Sequence, residues 1–467
     1  MPQDSFRALL QRTHDLAIEY LDDLDKRPVG RPVEVADLVA RLSGPLPEQG
    51  EDAMRVIDCL SKAVDAGLVG SAGPRYFGFV TGGSLPAAVA ADWLTSAWDQ
   101  NGFSYASSPA AAVVEDVAAW WMLDLFGLSK GTSVGFTTGC TMSNFTALAA
   151  ARHALLSKQG WDVERQGLMG APPITVITSD ESHVSVFAAL QMLGLGRKRV
   201  IRVTPDEQGR MRVDGLRCVL SGSSGPVLVC AQAGNVNTGA FDPIYEIAQC
   251  VHECSGWLHV DGAFGLWAAA SPAYRRLTKG IELADSLAVD CHKWLNVPYD
   301  SGLVFVRDPA AHYDAMSVSA AYFAAPPEMG RENFSWVPEA SRRSRAFAIY
   351  AALRSLGRQG VADMIERCCK LARRMADGLS QSENVEILND VVLNQVLVRF
   401  KGALQGDANA FTRQVIRGVQ EDGTCWAGAT TWHGMDAMRI SVSNWSTTEK
   451  DIDISAAAIL KCAGGDT

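Results

Sequence analysis

The sequence lacks the features that mark several classes of protein. It has no dense run of basic residues, and its 42 Lys and Arg are outnumbered by 52 Asp and Glu, which gives a net charge of −10. A nucleic-acid-binding surface is therefore not expected. No uninterrupted apolar stretch reaches membrane-spanning length, and residues 1–16 are polar without the apolar core of a signal peptide. We expect neither a nucleic-acid nor a membrane partner.

The eleven cysteines also lack a pattern. They form no CxxC pair and show no zinc-like spacing, so the sequence indicates neither a disulfide framework nor a metal site. Free thiols are typical of a reducing compartment. The expected location is the cytoplasm.

What the sequence does contain is a long block in which helical segments alternate with short β-rich runs. The predicted strands lie at 174–180, 199–204, 226–234, 257–265, 285–290 and 302–308. Short apolar strands between helices favour a mostly parallel sheet with both faces covered. The predicted fold class is therefore α/β.

Two units flank this block, which gives a predicted division into residues 1–83, 84–355 and 356–467. The first unit begins with a helix that carries an apolar stripe, and the last reads as a smaller α+β domain. The stripe consists of Phe6, Leu9, Leu10, Ala17, Tyr20, Leu21 and Leu24. It needs a surface to pack on, in the same chain or in a partner, and the sequence leaves both possibilities open.

Three predicted strands end in polar residues that could carry chemistry. The segments ITSDESHVS, HVDGAFG and VDCHKW contain His183, Asp261 and Lys293 respectively. In an open α/β sheet the ligand binds beyond the carboxyl ends of the strands. We therefore expect these three side chains on the same rim of the sheet.

A fourth segment, TTGCTMSNFTALAAARHAL, opens with small polar residues and continues as an Ala-rich helix. The N-terminus of such a helix favours an anion. The spacing matches neither a dinucleotide nor a P-loop motif, so a single phosphate fits better. A phosphate seat, a carboxylate, an imidazole and a lysine together suit pyridoxal phosphate, with Lys293 on its aldehyde and Asp261 on its pyridine nitrogen.

Simpler interpretations compete with this one. A strand-end Asp before Gly is often a turn residue, and a lone His is more often structural than catalytic. A metal hydrolase or a binding protein could instead use His183, His259, Asp261 and His292, because His259 and Asp261 share one face of a strand. The three arginines of SRRSRAF are expected to form an exposed helix start rather than a carboxylate clamp; they are Arg342, Arg343 and Arg345.

The segments HVDGAFG and DSLAVDCHKWLNVPYDSG resemble those of the group II pyridoxal-phosphate-dependent amino-acid decarboxylases, and the similarity extends from about residue 74 to 453. The resemblance implies the fold type I of pyridoxal-phosphate enzymes and a homodimer whose N-terminal segment wraps over the partner. It implies that Lys293 forms the Schiff base, Asp261 pairs with the pyridine nitrogen and His183 stacks on the ring. The other cofactor residues that it implies are Cys140, Thr141, Ala263, Asp290 and His292.

Phe79, Asn101 and Phe103 match positions that line the substrate pocket, some of them donated across the dimer. The expected reaction is decarboxylation of an L-amino acid. Phe79 and Phe103 favour an aromatic or apolar substrate side chain, while Asn101 and the Arg-rich loop leave an acidic one open.

The chain also departs from this family. Asp290 stands where many members have Asn near the phosphate, and it would repel phosphate unless turned away. Family decarboxylases use a loop Tyr to protonate the intermediate, but residues 324–343 contain no Tyr. Tyr322, just upstream, is the expected substitute. If it does not act, the same scaffold would serve as an aldehyde synthase or a carbon–carbon lyase.

Overall fold

The structure, a computed structural model, describes residues 3–318, 332–402 and 407–464. The chain begins with three helices: α1 (Gln3–Asp23), α2 (Val35–Leu42) and α3 (Ala53–Val64). The predicted first helix is confirmed as α1. Phe6 and Leu10 of its apolar stripe are more than half exposed, whereas Leu9, Ala17, Tyr20 and Leu24 are half-buried, so the chain itself covers that stripe only in part.

A seven-stranded sheet forms the centre of the protein. Its strands are β1 (Ser133–Thr137), β2 (Thr175–Ser179), β3 (Ile201–Val203), β4 (Val227–Gln232), β5 (Trp257–Asp261), β6 (Ser286–Asp290) and β7 (Gly302–Val306). They are arranged in the order β1-β7-β6-β5-β4-β2-β3. Only β7 runs antiparallel to its neighbours within this sheet, so the predicted mostly parallel α/β sheet is confirmed. The sequence prediction missed β1, a short Ser- and Gly-containing segment that pairs with β7 far along the chain.

Helices cover both faces of this sheet. They are α4 (Pro86–Trp98), α5 (Pro109–Phe126), α6 (Cys140–Ser157), α7 (Val163–Gln166), α8 (Val184–Met192), α9 (Val213–Ser221), α10 (Ile244–Glu253), α11 (Cys291–Trp294) and α12 (Pro309–Met316). On β7, Leu303 and Phe305 enter one apolar core while Val304 and Val306 enter the other. This alternation is the two-residue period of a strand that is buried on both faces. Among the described residues, no helix combines the length and the apolar character needed to cross a membrane.

The C-terminal part forms a second, antiparallel sheet with three helices. The helices are α13 (Ala346–Leu379), α14 (Ala408–Asp422) and α15 (Glu449–Cys462), and the strands are β8 (Val385–Ile387), β9 (Gln395–Phe400), β10 (Gly428–Trp432) and β11 (Met435–Ser441). The strand order is β10-β11-β9-β8. The predicted boundary at residue 356 falls inside α13, beside Gly357, whose backbone leaves the helical region at φ 62° and ψ 177°. The division into three units remains a prediction.

Candidate active site

Lys293 lies at the carboxyl end of the central sheet. It belongs to α11, the short helix that directly follows β6, and its side chain is mostly buried. Its Nζ is 3.5 Å from Oδ2 of Asp290, the last residue of β6. A cavity of about 240 Å³ lies beside these two residues. This is the position at which open α/β sheets bind ligands.

Seven of the eight cofactor residues named from the sequence line this cavity. They are Cys140, Thr141, His183, Ala263, Asp290, His292 and Lys293. The eighth, Asp261, lies behind the cavity wall, where it accepts a hydrogen bond from the backbone N–H of Ala263 at 3.1 Å. The fold therefore brings the predicted residues together, and their individual roles remain predictions.

The turn before α6 requires glycine. Gly139 has a φ of 146°, a conformation that other residues rarely adopt. A Cβ on Gly302 would lie 2.6 Å from Cα of Gly139, so two backbone segments meet here with no room for side chains. This close approach sets the first turn of α6 against the cavity, where the helix dipole favours an anion. The glycine turn and helix start thus fit a phosphate group.

Asp290 is not turned away from this helix start. Its Oδ1 accepts a hydrogen bond from the backbone N–H of Cys140 at 2.5 Å, and its Oδ2 faces Lys293. His292 Nδ1 is 3.8 Å from the same carboxylate. The sequence led us to expect this carboxylate to be turned away from the phosphate site. It lies instead between the start of α6 and Lys293, and both stabilise a carboxylate.

Asp261 is a buried carboxylate supplied with hydrogen-bond donors. Asn144 Nδ2 donates to its Oδ2 at 3.1 Å, and the thiol of Cys140 lies 3.5 Å from its Oδ1. Burial by itself raises the pKa of Asp261, but attraction to His183 and Lys293 outweighs burial and holds the pKa below its ordinary value. The group is therefore ionised and able to face a buried cation.

The two histidines of the cavity both have a pKa below the ordinary value. Burial lowers the pKa of His183 against the opposing effect of Asp261, with Lys293 and Arg439 adding to the decrease. Burial likewise lowers the pKa of His292. His183 also caps α8, because its Nδ1 accepts a hydrogen bond from the N–H of Ser185 at 3.3 Å. A neutral imidazole fixed in this way can lie against a flat ring without adding charge.

The predicted substrate residues lie elsewhere in the single chain. Phe79 is 63% exposed and packs on Trp426 at 5.4 Å between ring centroids. Phe103 stacks on Phe334, and Asn101 Oδ1 accepts a hydrogen bond from the N–H of Arg342. These three residues are not part of the described lining of the Lys293 cavity. Tyr322 lies outside the described residues.

Sequence reasoning missed two residues near the cavity. Tyr299 lines it, with its ring 4.1 Å from that of His292 and its hydroxyl 3.4 Å from Oγ1 of Thr81. Arg439, on β11, is close enough to His183 to lower the pKa of that imidazole. The sequence carries a sign of each residue. Tyr299 stands within VPYDSG, and Arg439 is the one cation inside the apolar strand AMRISVS.

The expectation of an exposed arginine cluster is wrong for Arg342 and Arg345. The Arg342 side chain is 1% exposed and forms a two-pronged ion pair with Glu115 at 2.7 and 2.8 Å. The Arg345 side chain is also mostly buried and pairs with Asp300, while Arg343 remains exposed. The physical reason is that α5 and the α11–β7 connection supply carboxylates that the local sequence cannot reveal.

The geometry gives little support to the metal-site alternative. His259 has Nδ1 3.0 Å from Ser286 Oγ and Nε2 2.9 Å from Asn144 Oδ1, so both ring nitrogens already have partners. Among the residues that the structure describes, no three His, Cys, Asp or Glu side chains are grouped to hold a metal ion. His259 is a hydrogen-bonded residue of the sheet.

Known proteins share both sequence and fold with this chain. The family model for the pyridoxal-dependent decarboxylase conserved domain matches residues 36–401. An aromatic-L-amino-acid decarboxylase of Bacillus atrophaeus is 27% identical over 462 residues, which are 97% of this chain and 94% of that protein. A 4-hydroxyphenylacetaldehyde synthase of Rhodiola rosea is 25% identical over 455 residues, 94% of this chain and 91% of the relative. The fold is similar to that of Oryza sativa TDC solved with PLP and tryptamine, with a TM-score of 0.92, 21% identity, and coverage of 99% and 98%.

Proposed function

The chain belongs to the pyridoxal-dependent decarboxylases, and we propose that it converts an L-amino acid to the corresponding amine and carbon dioxide. It is a carboxy-lyase of amino-acid metabolism with pyridoxal phosphate as cofactor. The observation that carries the finer proposal is one cavity that gathers Lys293 and the start of α6, with Asp261 directly behind it.

Each group in this cavity has a role that its chemistry supports. Bound pyridoxal phosphate supplies an electron sink for the electrons left when the carboxylate departs. Lys293 supplies the amine that holds the cofactor's aldehyde carbon, and the first turn of α6 at Cys140 and Thr141 receives its phosphate. Asp261 keeps the pyridine nitrogen protonated, because an ionised carboxylate stabilises the neighbouring cation. Ala263 and His183 would lie against the ring of the bound cofactor, and His292 and Asp290 stand beside Lys293.

We propose an aromatic or apolar substrate side chain. The ring of Tyr299 on the cavity wall supports this choice, as do the aromatic positions Phe79 and Phe103 that the family resemblance assigns to the pocket. The Bacillus atrophaeus relative is named for aromatic substrates. Arg439 supports recognition of the substrate carboxylate, because it has no carboxylate partner among the described residues and is partly buried near His183.

A second outcome on the same scaffold is aldehyde formation, with dissolved oxygen as the oxidant and ammonia and hydrogen peroxide released beside carbon dioxide, or carbon–carbon cleavage. Residues 324–343 contain no Tyr, and one relative is named an aldehyde synthase. We propose that Tyr322 supplies the proton to the reacting carbon and that the amine is therefore the main product. The family resemblance is the support for a loop tyrosine in this role.

We further propose that the protein is a homodimer, with residues 1–83 wrapped over the partner and Asn101 and Phe103 reaching the neighbouring cavity. The exposed part of the α1 stripe, at Phe6 and Leu10, supports this assembly, and so do the exposed side chains of Trp93, Trp98 and Trp120. All eleven cysteines carry free thiols, which supports a reducing location in the cytoplasm.

The test is product analysis by mass spectrometry. Purified protein loaded with pyridoxal phosphate is incubated with a panel of L-amino acids, alongside Lys293→Ala and the surface control Lys279→Ala. An amine formed by wild type and control but not by Lys293→Ala supports the proposal and identifies the substrate. An aldehyde as the main product would replace the decarboxylase assignment with the second outcome. Equal behaviour of wild type and Lys293→Ala would overturn the assignment of the lysine.

A further inference from the structure

A continuous chain of hydrogen bonds extends from Asp261 into the protein interior. Asn144 Nδ2 donates to Oδ2 of Asp261 at 3.1 Å, and Asn144 Oδ1 lies 2.9 Å from Nε2 of His259. On the other side of the ring, His259 Nδ1 is 3.0 Å from Ser286 Oγ. Ser286 Oγ in turn accepts a hydrogen bond from the indole Nε1–H of Trp257 at 2.9 Å. The chain thus links α6 with β5 and β6 behind the cavity.

The two ends of this chain fix its direction. The indole of Trp257 can only donate, and the ionised carboxylate of Asp261 can only accept. Asn144 must therefore present its NH₂ group to Asp261 and its oxygen to His259. His259 then carries its proton on Nε2, and its Nδ1 accepts the hydroxyl proton of Ser286. Every polar atom along the chain is satisfied by this single arrangement.

The residues of this hydrogen-bonded chain beyond Asp261 are also buried and uncharged. Asn144, His259, Ser286 and Trp257 are all buried. Burial lowers the pKa of His259 to about 4, which keeps the ring neutral at physiological pH. A neutral ring matters, because an imidazolium at this place would compete with the cofactor cation for the charge of Asp261. Neutral dipoles can orient the carboxylate without cancelling that charge.

We propose that His259 and Asn144 are positioning residues, which hold Asp261 in the orientation that its contact with the pyridine nitrogen of the cofactor requires. The inference rests on the proposed function only in taking Asp261 as the partner of that nitrogen. Ser286 and Trp257 fix the tautomer of His259, and His259 fixes the amide of Asn144. Neither His259 nor Asn144 is among the residues that line the cavity, so both act through Asp261.

Three variants test this role. His259→Phe removes both hydrogen bonds, whereas His259→Gln can still donate to Asn144 and accept from Ser286. His312→Phe is the matched control, because His312 is a fully buried histidine whose ring nitrogens lie 2.8 Å from Ser133 Oγ and 2.9 Å from the carbonyl oxygen of Trp336. Ser133 and Trp336 are not part of the series of hydrogen bonds that ends at Asp261.

The measurements are the dissociation constant of pyridoxal phosphate from cofactor-free protein and the pH dependence of the absorbance of bound cofactor, both without substrate. His259→Phe is expected to weaken binding of pyridoxal phosphate about ten-fold. It is also expected to lower, by about one pH unit, the pH at the midpoint of the absorbance change of the bound cofactor. His259→Gln and His312→Phe are expected to stay within about three-fold of wild type. If His259→Phe and His312→Phe weakened the binding of pyridoxal phosphate equally, His259 would contribute only by packing, and the proposal would be overturned.

A measurement on wild-type protein covers the case in which His259→Phe does not fold. Nitrogen-15 NMR of histidine-labelled, cofactor-free protein is expected to show His259 as the neutral Nε2–H tautomer from pH 6 to pH 8, with the resonance identified by its loss in His259→Gln. If His259 carried its proton on Nδ1, or if its ring were charged, the direction assigned to these hydrogen bonds would be wrong, and the proposal would be overturned. This result is independent of the reaction product, so failure of the decarboxylase assignment and failure of the chain are distinguishable.

Discussion

The carboxylate of Asp290 accepts a hydrogen bond from the backbone N–H of Cys140 at 2.5 Å, although the two residues are 150 positions apart. It thereby occupies a donor of the helix start that the cofactor phosphate is proposed to use. A carboxylate near a phosphate is repulsive unless positive groups compensate, and Lys293 is the nearest one. The charge of Asp290 should therefore weaken cofactor binding.

Asp290→Asn is expected to bind pyridoxal phosphate about ten-fold more tightly, because it keeps an acceptor for the Cys140 N–H and removes the negative charge. The measurement is fluorescence titration of cofactor-free protein. Asp453→Asn, which makes the same change of charge at the surface on α15, is the control. Weaker binding by Asp290→Asn would mean that its contact with Lys293 outweighs the repulsion.

Arg342→Met is expected to lower the free energy of unfolding by about 3–5 kcal/mol, because it leaves the buried carboxylate of Glu115 without its cationic partner and with only the amide of Asn333 as a described side-chain donor. Urea denaturation measures the loss. The control Arg358→Met removes an exposed pair with Asp124 and should cost less than about 1 kcal/mol. A double variant with Glu115→Gln should recover part of the stability, and failure to do so would point to packing instead.

The neutral state of His259 predicts a pH dependence of stability. Its pKa is about 4 in the folded chain and about 6.5 when unfolded, so the unfolded chain binds more protons between these values. This group's contribution to stability is therefore lost as the pH falls from about 6.5 to about 4, and it amounts to about 2 kcal/mol between pH 7 and pH 5. His259→Gln should lose that much less stability than wild type over this range in denaturant titrations. Identical losses would contradict the depressed pKa.

Tyr322→Phe is expected to reduce amine formation by about 100-fold and to raise the share of aldehyde, because a general acid typically contributes a factor of this size. Product ratios by mass spectrometry provide the measurement. Tyr313→Phe, an exposed tyrosine on α12, is the control. An unchanged amine yield in Tyr322→Phe would remove Tyr322 as the acid and make Tyr299, the phenol of the cavity wall, the next candidate.

The sequence by itself determined the α/β class and the rim of the sheet that carries the candidate site. Strands β2, β5 and β6 are parallel, and parallel strands end at the same edge. His183, Asp261 and Lys293 each follow or close one of these strands, so their order along the chain was enough to predict that they come together. Local composition also marked the helix start at Cys140.

Only the tertiary structure decided which groups surround those residues. The hydrogen bonds from Asn144 to Asp261 and from Cys140 to Asp290, and the ion pair of Arg342 with Glu115, join residues more than 100 positions apart. A sequence pattern indicates which neighbouring side chains are buried and to which face they point. It does not give the distance between side chains that are far apart in the sequence. The contacts of Asp290, the burial of Arg342 and the tautomer of His259 depend on such distances, because a change of about 1 Å is enough to make or break a hydrogen bond or an ion pair.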